Sequence, residues 1–402
     1  YQSYSFLRKM NYLAFFINSI INLLIKHPFF TIESFMIKNQ DKKTLFNLIA
    51  ESNEIIEADK KKVIQIYENI KAKFSNEKIK KLINQQDIYG NTIVMYLLSY
   101  KHIFLAKKLL EDFNELYDFT LYNISGNTIL HCLFENSESI KLEETIIEEY
   151  LEVCSLITEK CPTLILSNNF NYLTPWLLAA GNGMQGVLTI MVKYYPIQVI
   201  EENSKFSSAI HEAAYNGKIS MIKYLIEYFH YSVDLESPSR SDQGLEFKKF
   251  PEKSTPLYAA AIRNSIEAYK TLLELGANPF IKNIYGIDSI STFIRNGDSR
   301  GLKYIINTIC FNSKPSNDLY LFDLVRNGFS LSFIKKYFKK NGFDSINITN
   351  DYSQNLLIIS CIENKPEIVY YLLENNINLL QKDKNDNNAL HYCSKALSHS
   401  CN

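Results

Sequence analysis

One degenerate pattern returns along this chain about every 33 residues, and no other feature restricts the possible folds as much. Its clearest copy reads Lys253-Ser254-Thr255-Pro256-Leu257-Tyr258-Ala259-Ala260-Ala261, followed by Leu272-Leu273-Glu274-Leu275-Gly276-Ala277-Asn278-Pro279. Anchored on the Thr of that copy, equivalent positions fall at Thr92, Thr128, Thr174, Ser208, Thr255, Asp288, Leu319, Asn355 and Asn388. The intervals are 36, 46, 34, 47, 33, 31, 36 and 33 residues, the two long ones each reading as a repeat plus an insertion. A unit this short cannot bury its apolar face alone, so neighbouring units must stack into a solenoid with an extended surface.

The residues within a unit predict a pair of helices. A Thr such as Thr174 or Thr255 accepts a backbone N–H at a helix start, and the following Pro loses no donor the helix needs. Small residues come next (Ala179-Ala180, Ala213-Ala214, Ala259 to Ala261) and let helices approach closely. Asn182-Gly183 and Asn216-Gly217 then mark a turn. A second helix follows, with Ile219, Ile222, Leu225 and Ile226 on one stripe. Gly276 reads as a C-cap. Asp288 and Asn355 can still cap where Thr is lost, whereas Leu319 cannot, a loss of about 1 kcal/mol.

These residues resemble the ankyrin repeat family, whose Thr-Pro-Leu-His-x-Ala-Ala core is matched by Thr128-Ile129-Leu130-His131, Ser208-Ala209-Ile210-His211-Glu212-Ala213-Ala214 and Asn388-Ala389-Leu390-His391. The family's preceding turn is matched by Asp87-Ile88-Tyr89-Gly90-Asn91-Thr92, Ile124-Ser125-Gly126-Asn127-Thr128 and Asn283-Ile284-Tyr285-Gly286. The resemblance implies an all-α ankyrin-repeat solenoid of stacked helix-turn-helix units with short β-hairpin fingers. Residues 85–402 are expected to form the array, about eight units plus a truncated last one. Residues 1–84 are expected to form a helical N-terminal cap or degenerate repeats, with helices over Thr44 to Ile56 and Lys60 to Ile83.

The bulk numbers fit a folded chain with no global electrostatic partner. Of 402 residues, 46% are apolar and 21% charged, and the formal net charge is zero, so nothing draws the chain to nucleic acid. Leu13 to Ile25 is the longest apolar run, yet its thirteen residues include Asn18, Ser19 and Asn22, too short and too polar to span a bilayer. It reads as a buried or cap helix, or as an interfacial or targeting segment. The seven cysteines are scattered and odd in number, which points to reduced core thiols in an intracellular, cytoplasmic setting. The chain opens on Tyr1 and stops inside a repeat, as a piece of a longer protein would. The insertion from His230 to Lys253 reads as a polar surface loop, with Ser237, Ser239 and Ser241 open to modification. The one near Glu135 to Glu149 reads as a solvated acidic face.

Catalytic and metal-binding patterns are missing. His131, His211 and His391 share one repeat position, but stacked helices lie roughly 8–10 Å apart, so one ion could not gather them. In the family this His joins the capping Thr and backbone carbonyls. His391, Cys393, His399 and Cys401 match no zinc spacing and read as part of the last repeat. The chain has no phosphate loop, G-x-S-x-G elbow or H-E-x-x-H motif, so neither an enzyme nor a cofactor is expected. Lys60 to Lys62, Lys78, Lys80, Lys81, Lys248 and Lys249 read as solvated surface among interleaved acids.

What remains is protein binding, as a scaffold or adaptor. In the ankyrin family a partner lies on the concave side, on finger tips and exposed first-helix positions. Carried over position by position, that implicates Tyr89, Tyr100, Phe170, Asn171, Asn182, Lys205, Tyr215, Asn216, Arg263, Tyr285, Arg295 and Asn296. The alternative is a regulatory ankyrin segment of a larger enzyme or membrane channel, its active part lying outside these residues.

Overall fold

The structure, a computed structural model, describes residues 68, 71–72, 74–135, 144–204, 206–238, 249–297, 301–304, 320–341 and 346–399. Leu13 to Ile25, the helix expected over Thr44 to Ile56, the first part of that over Lys60 to Ile83, Ser239, Ser241 and Leu319 lie outside the described residues. The described residues form an all-α fold of repeated helix pairs. Contacts divide the chain into two compact units, one up to Ala209 and one from Ile210.

The first unit contains α1 (Asn76–Ile83), α2 (Ile93–Ser99), α3 (Ile103–Phe113), α4 (Ile129–Phe134) and α5 (Glu144–Lys160). A 3-10 turn (Pro162–Leu166) leads to α6 (Pro175–Asn182), α7 (Gln185–Met191) and α8 (Ile197–Glu202). Helix α1 starts later than the expected Lys60 to Ile83 helix, because Ser75 takes an extended backbone at ψ 155° and interrupts it. The 46-residue interval is partly spent on α5, which extends to 17 residues. First helices α2, α4 and α6 stack in order, as do second helices α3, α5 and α7.

The second unit contains α9 (Ala209–Tyr215), α10 (Ile219–Phe229), α11 (Pro256–Ile262), α12 (Ile266–Glu274) and α13 (Ser289–Asn296). It continues with α14 (Tyr320–Arg326), α15 (Leu331–Asn341), α16 (Leu356–Ile362), α17 (Pro366–Glu374) and α18 (Ala389–His399). Here α11, α13, α14, α16 and α18 stack in succession. In both units each first helix begins one residue after its anchor position, α14 aside, whose anchor Leu319 lies outside the described residues.

First helices are buried almost entirely, because neighbours cover them on both sides and their own second helix covers a third. Ile93 to Leu98, Pro256 to Ala261, Ser289 to Ile294 and Leu356 to Cys361 are all buried. The anchor side chains satisfy the helix starts, with Thr92, Thr174, Thr255, Asp288 and Asn355 each accepting an N–H from three residues on. The turn between paired helices uses a left-handed residue. It is Gly183, Gly217, Gly297 or Gly328 in some units and Lys101, Asn264 or Asn364 in others. Paired N–H bonds back to the helix (Gly183 to Ala180, Met184 to Ala179) make it a Schellman-type end.

The fingers between units are turns rather than paired strands. Two isolated antiparallel bridges, Tyr122 with Thr128 and Thr349 with Asn355, are the only pairing among the described residues. An Asp or Asn side chain replaces the ladder. Asp87 Oδ1 accepts from the N–H groups of Tyr89 and Asn91, both at 2.9 Å. Asn123, Asn169, Asn283, Asn350 and Asp383 bind the amides two and four residues on in the same way. The residue at the third position is left-handed each time: Gly90, Gly126, Tyr172, Gly286, Ser353 or Asp386.

Two of these glycines differ in what surrounds them. A Cβ on Gly126 would stand 2.8 Å from the Phe170 backbone nitrogen, whereas one on Gly286 would meet nothing within 4 Å. Gly286→Ala is therefore expected to cost about 1 kcal/mol from left-handed strain alone, and Gly126→Ala to cost more. Urea midpoints of the two variants check the order, and equal losses would contradict it.

Candidate functional site

The finger tips hold a row of exposed apolar side chains on a backbone that the Asx clamp fixes. Positions one and two after the clamping residue carry Ile88-Tyr89, Ile124, Phe170, Ile284-Tyr285 and Tyr352. Ile124 is 62% exposed, Phe170 61%, Tyr285 60% and Tyr352 64%, although each belongs to an otherwise well-packed unit. Adjacent tips are tied by single main-chain bonds: Ile124 N–H to Tyr89 C=O at 2.9 Å, Phe170 to Ser125 at 2.9 Å, and, in the second unit, Ile284 to Glu252 at 3.1 Å and Lys384 to Tyr352 at 3.0 Å. The clamps are cross-linked where asparagines meet, Asn123 Nδ2 donating to Asn91 Oδ1 and Asn169 Nδ2 to Asn127 Oδ1. Within each unit the result is a set of apolar tips on hydrogen-bonded backbone.

The residues implicated by sequence fall into three groups. Tyr89, Phe170, Asn171, Arg263, Tyr285 and Arg295 are exposed. Phe170 packs edge-on to Tyr122 at 6.3 Å. Tyr100, Tyr215 and Asn216 are half-buried, Tyr100 stacking on Tyr96. Asn182 and Asn296 hold helices together: Asn182 Nδ2 donates to the Phe134 carbonyl at 2.6 Å, and Asn296 Nδ2 to the Ala261 carbonyl at 2.9 Å. Lys205 lies outside the described residues. Sequence reasoning passed over Ile124 and Tyr352, whose signal was their fixed offset from the N-cap four and three residues further on.

The Tyr215 surface is partly occupied by the chain itself. Lys249, at the end of the long insertion, sits 3.9 Å from the Tyr215 ring centre, and Arg263 lies 5.4 Å from the same ring. Lys249 Nζ also donates to Glu212 Oε2 at 2.5 Å, on a carboxylate only 4% exposed. Phe250 packs edge-on to Tyr215 at 5.6 Å and tilts against His211. Removing Lys249 leaves the buried Glu212 charge without that partner. Lys249→Ala is thus expected to destabilise the second unit by about 1–3 kcal/mol. Glu212→Gln in the same chain should restore much of it, measured by hydrogen exchange of α9.

The repeated histidines are structural pins. His131 Nδ1 accepts from the Thr128 N–H at 3.2 Å, while Nε2–H donates to the Leu173 carbonyl of the next unit at 3.0 Å. His211 Nε2–H donates to the Ser254 carbonyl at 2.8 Å. Among the described residues the His391 side chain bonds only its own cap, Asn388, and the residue is exposed. Burial holds the first two rings down at about pKa 4, against hydrogen bonds that favour the charged form. Both rings are therefore neutral in the fold and take up protons first in the unfolded chain, near pH 6.5. Stability is complete above about pH 6.5 and falls as pH drops toward 4, by an amount on the order of 3 kcal/mol per ring. Fluorescence of Trp176, the single tryptophan, should show the urea midpoint of the first unit falling over that window. His131→Gln should flatten the fall, and a rising midpoint would contradict the assignment.

Among the described residues no cluster of His, Cys, Asp or Glu could hold a metal, and no helix is long and apolar enough to cross a membrane. Cys132 and Cys154 are buried, and burial raises their thiols to about pKa 12, which makes them inert.

A family model agrees with this repeat over part of the chain. The family model described as ankyrin repeats (3 copies) matches residues 176–283 and 321–401. The human ASB11 ankyrin repeat domain is similar at 16% identity, with a TM-score of 0.45, over 63% of this chain and 99% of that one. A chain in the complex of the predatory endopeptidase Bd0816 from Bdellovibrio bacteriovorus with immunity protein Bd3460 is similar at 20% identity and TM-score 0.38, over 48% of this chain and 95% of that one. Residues 176–283 and 321–401 thus match ankyrin repeats, the described residues are all-α helix pairs, and such repeats generally serve protein interaction and are typically non-catalytic. The same clamp, cap and left-handed turn recur at residues 87–101, outside the matched segments.

Proposed function

We propose that this protein is a binding scaffold or adaptor that seats a partner protein on the finger tips and first-helix surface, the side that is concave in ankyrin arrays. The observation that supports it is the repetition of large exposed apolar residues at one structural position. Isolated exposed apolar residues are ordinary, whereas a row of them on rigid backbone is characteristic of interfaces. Tyr and Arg are frequent energetic anchors, and Tyr89, Tyr100 and Phe170 in the first unit supply such groups alongside Asn171. Tyr215, Asn216, Arg263, Tyr285 and Arg295 supply them in the second. Asn182 and Asn296 act behind this surface by fixing the helices under it. Buried inert thiols support an intracellular, reducing setting.

Photo-crosslinking from the full chain tests this. A benzophenone side chain at Phe170, Tyr285 or Tyr352 should capture a protein from cell extract. The same group at Tyr228, exposed on second helix α10, should capture little. For the captured partner, Tyr285→Ala and Arg263→Ala should each weaken binding about tenfold, roughly 1–2 kcal/mol. Equal capture at Tyr228 would remove the assignment to the finger side.

A further inference from the structure

Between the 283–287 finger and the 350–354 finger of the second unit lies a polar cleft of about 260 Å³. Lys282, Arg295 and Arg326 line it together with Asp288, Tyr320 and Asp323. This is below the roughly 300–1,000 Å³ of small-molecule sites and suits one inserted side chain.

The anions and cations of this cleft are not equivalent. Asp288 is fully engaged: Oδ1 accepts from the Ser291 N–H at 2.8 Å, and Oδ2 accepts from the Tyr320 hydroxyl at 2.5 Å. It forms a buried, hydrogen-bonded floor rather than an open ligand. Asp323, half-buried, is pushed by burial above the usual carboxylate range, although Arg295 and Arg326 pull it back. Asp351 is exposed at the finger end of the cleft. The cations, in contrast, are available. Among the described residues, Lys282, Arg295 and Arg326 have neither a hydrogen bond nor an ion pair through their side chains. Arg295 comes from the last turn of α13 and Arg326 from the last turn of α14, on adjacent stacked helices. Two guanidinium forks with open donors around a single side-chain-sized space are suited to bidentate binding of a carboxylate.

We propose that this cleft is a carboxylate-recognition pocket, in which Arg295 and Arg326 grip a Glu or Asp side chain from an acidic segment of a partner protein. The proposal rests on the protein-binding reading above and adds the partner's chemistry. The nearby charge of Asp323 offsets part of the arginines' field without pairing with them, so the cleft does not attract anions indiscriminately. An entering carboxylate makes the direct bonds that Asp323 does not, with Lys282 adding long-range attraction at the rim.

The test uses the full chain and three fluorescein-labelled octapeptides of alternating Gly with Glu, Gln or Lys, followed by anisotropy. The Glu peptide should bind at least tenfold more tightly than the other two, and added salt should weaken it. Arg295→Gln and Arg326→Gln should each lower its affinity at least tenfold, while Lys223→Gln, on exposed α10, leaves it unchanged. Asp323→Asn should tighten it, a gain that misfolding cannot imitate. A Glu peptide bound no better than the Gln peptide, or held equally by both arginine variants, overturns the pocket. Preference for the Lys peptide would assign the cleft to cations instead. If the crosslinked partner survives both arginine changes, the pocket fails while the binding surface stands. If the Glu peptide behaves as expected but tip crosslinking captures nothing, the pocket stands and the wider surface fails.

Discussion

Six of the finger turns each depend on one side-chain oxygen. Without an Asp or Asn at its start, two backbone amides at the tip would have no acceptor, since the fingers lack a strand ladder. The Asx oxygen satisfies both, and in doing so sets the path of the next five residues. The last of those is the helix N-cap, so the clamp also sets where the first helix after it begins. From that start follow the capped amides, the stacking of α2 on α4 or α16 on α18, and the tip-to-tip main-chain bonds.

Burial of the first helices imposes a second condition. A helix covered on three sides must satisfy most of its polar atoms internally, and several bonds do so between successive repeats. His131 and His211 each donate to the carbonyl just ahead of the next cap. Tyr320 closes the Asp288 carboxylate, and Tyr96 closes that of Asp87 at 2.6 Å. Each bond is modest, about 1 kcal/mol, yet leaving its partner unsatisfied costs more. Polar groups inside the stack are thus committed to structure, while the tips and the arginines of α13 and α14 stay exposed. The proposed function falls on the residues that packing does not use.

Much of this was legible in the sequence. The anchors at Thr92, Thr128, Thr174, Thr255, Asp288 and Asn355 locate helix starts because capping is local chemistry, read within three residues. The histidine pins were legible as structural for the same reason, as one residue recurring in step with the caps. Less legible was the fate of individual polar residues. Asn182 and Arg263 both sit at the end of a first helix, but Asn182 reaches a carbonyl 48 positions back while Arg263 stays exposed. Lys249 and Tyr215 meet across 34 positions of sequence, through an insertion that has no periodic signal.

The sequence by itself determined the period, the register of the helices and the kind of surface a stacked array presents. Local chemistry specifies all three: an Asx or Thr cap, a left-handed turn and a 3.6-residue apolar stripe. The tertiary structure decided which polar side chains were consumed and which stayed open. It alone brought Arg295 and Arg326 to one cleft over a sealed Asp288. Such an arrangement depends on which units become neighbours and how closely they pack, and no window of sequence as short as one repeat contains both sides of that contact.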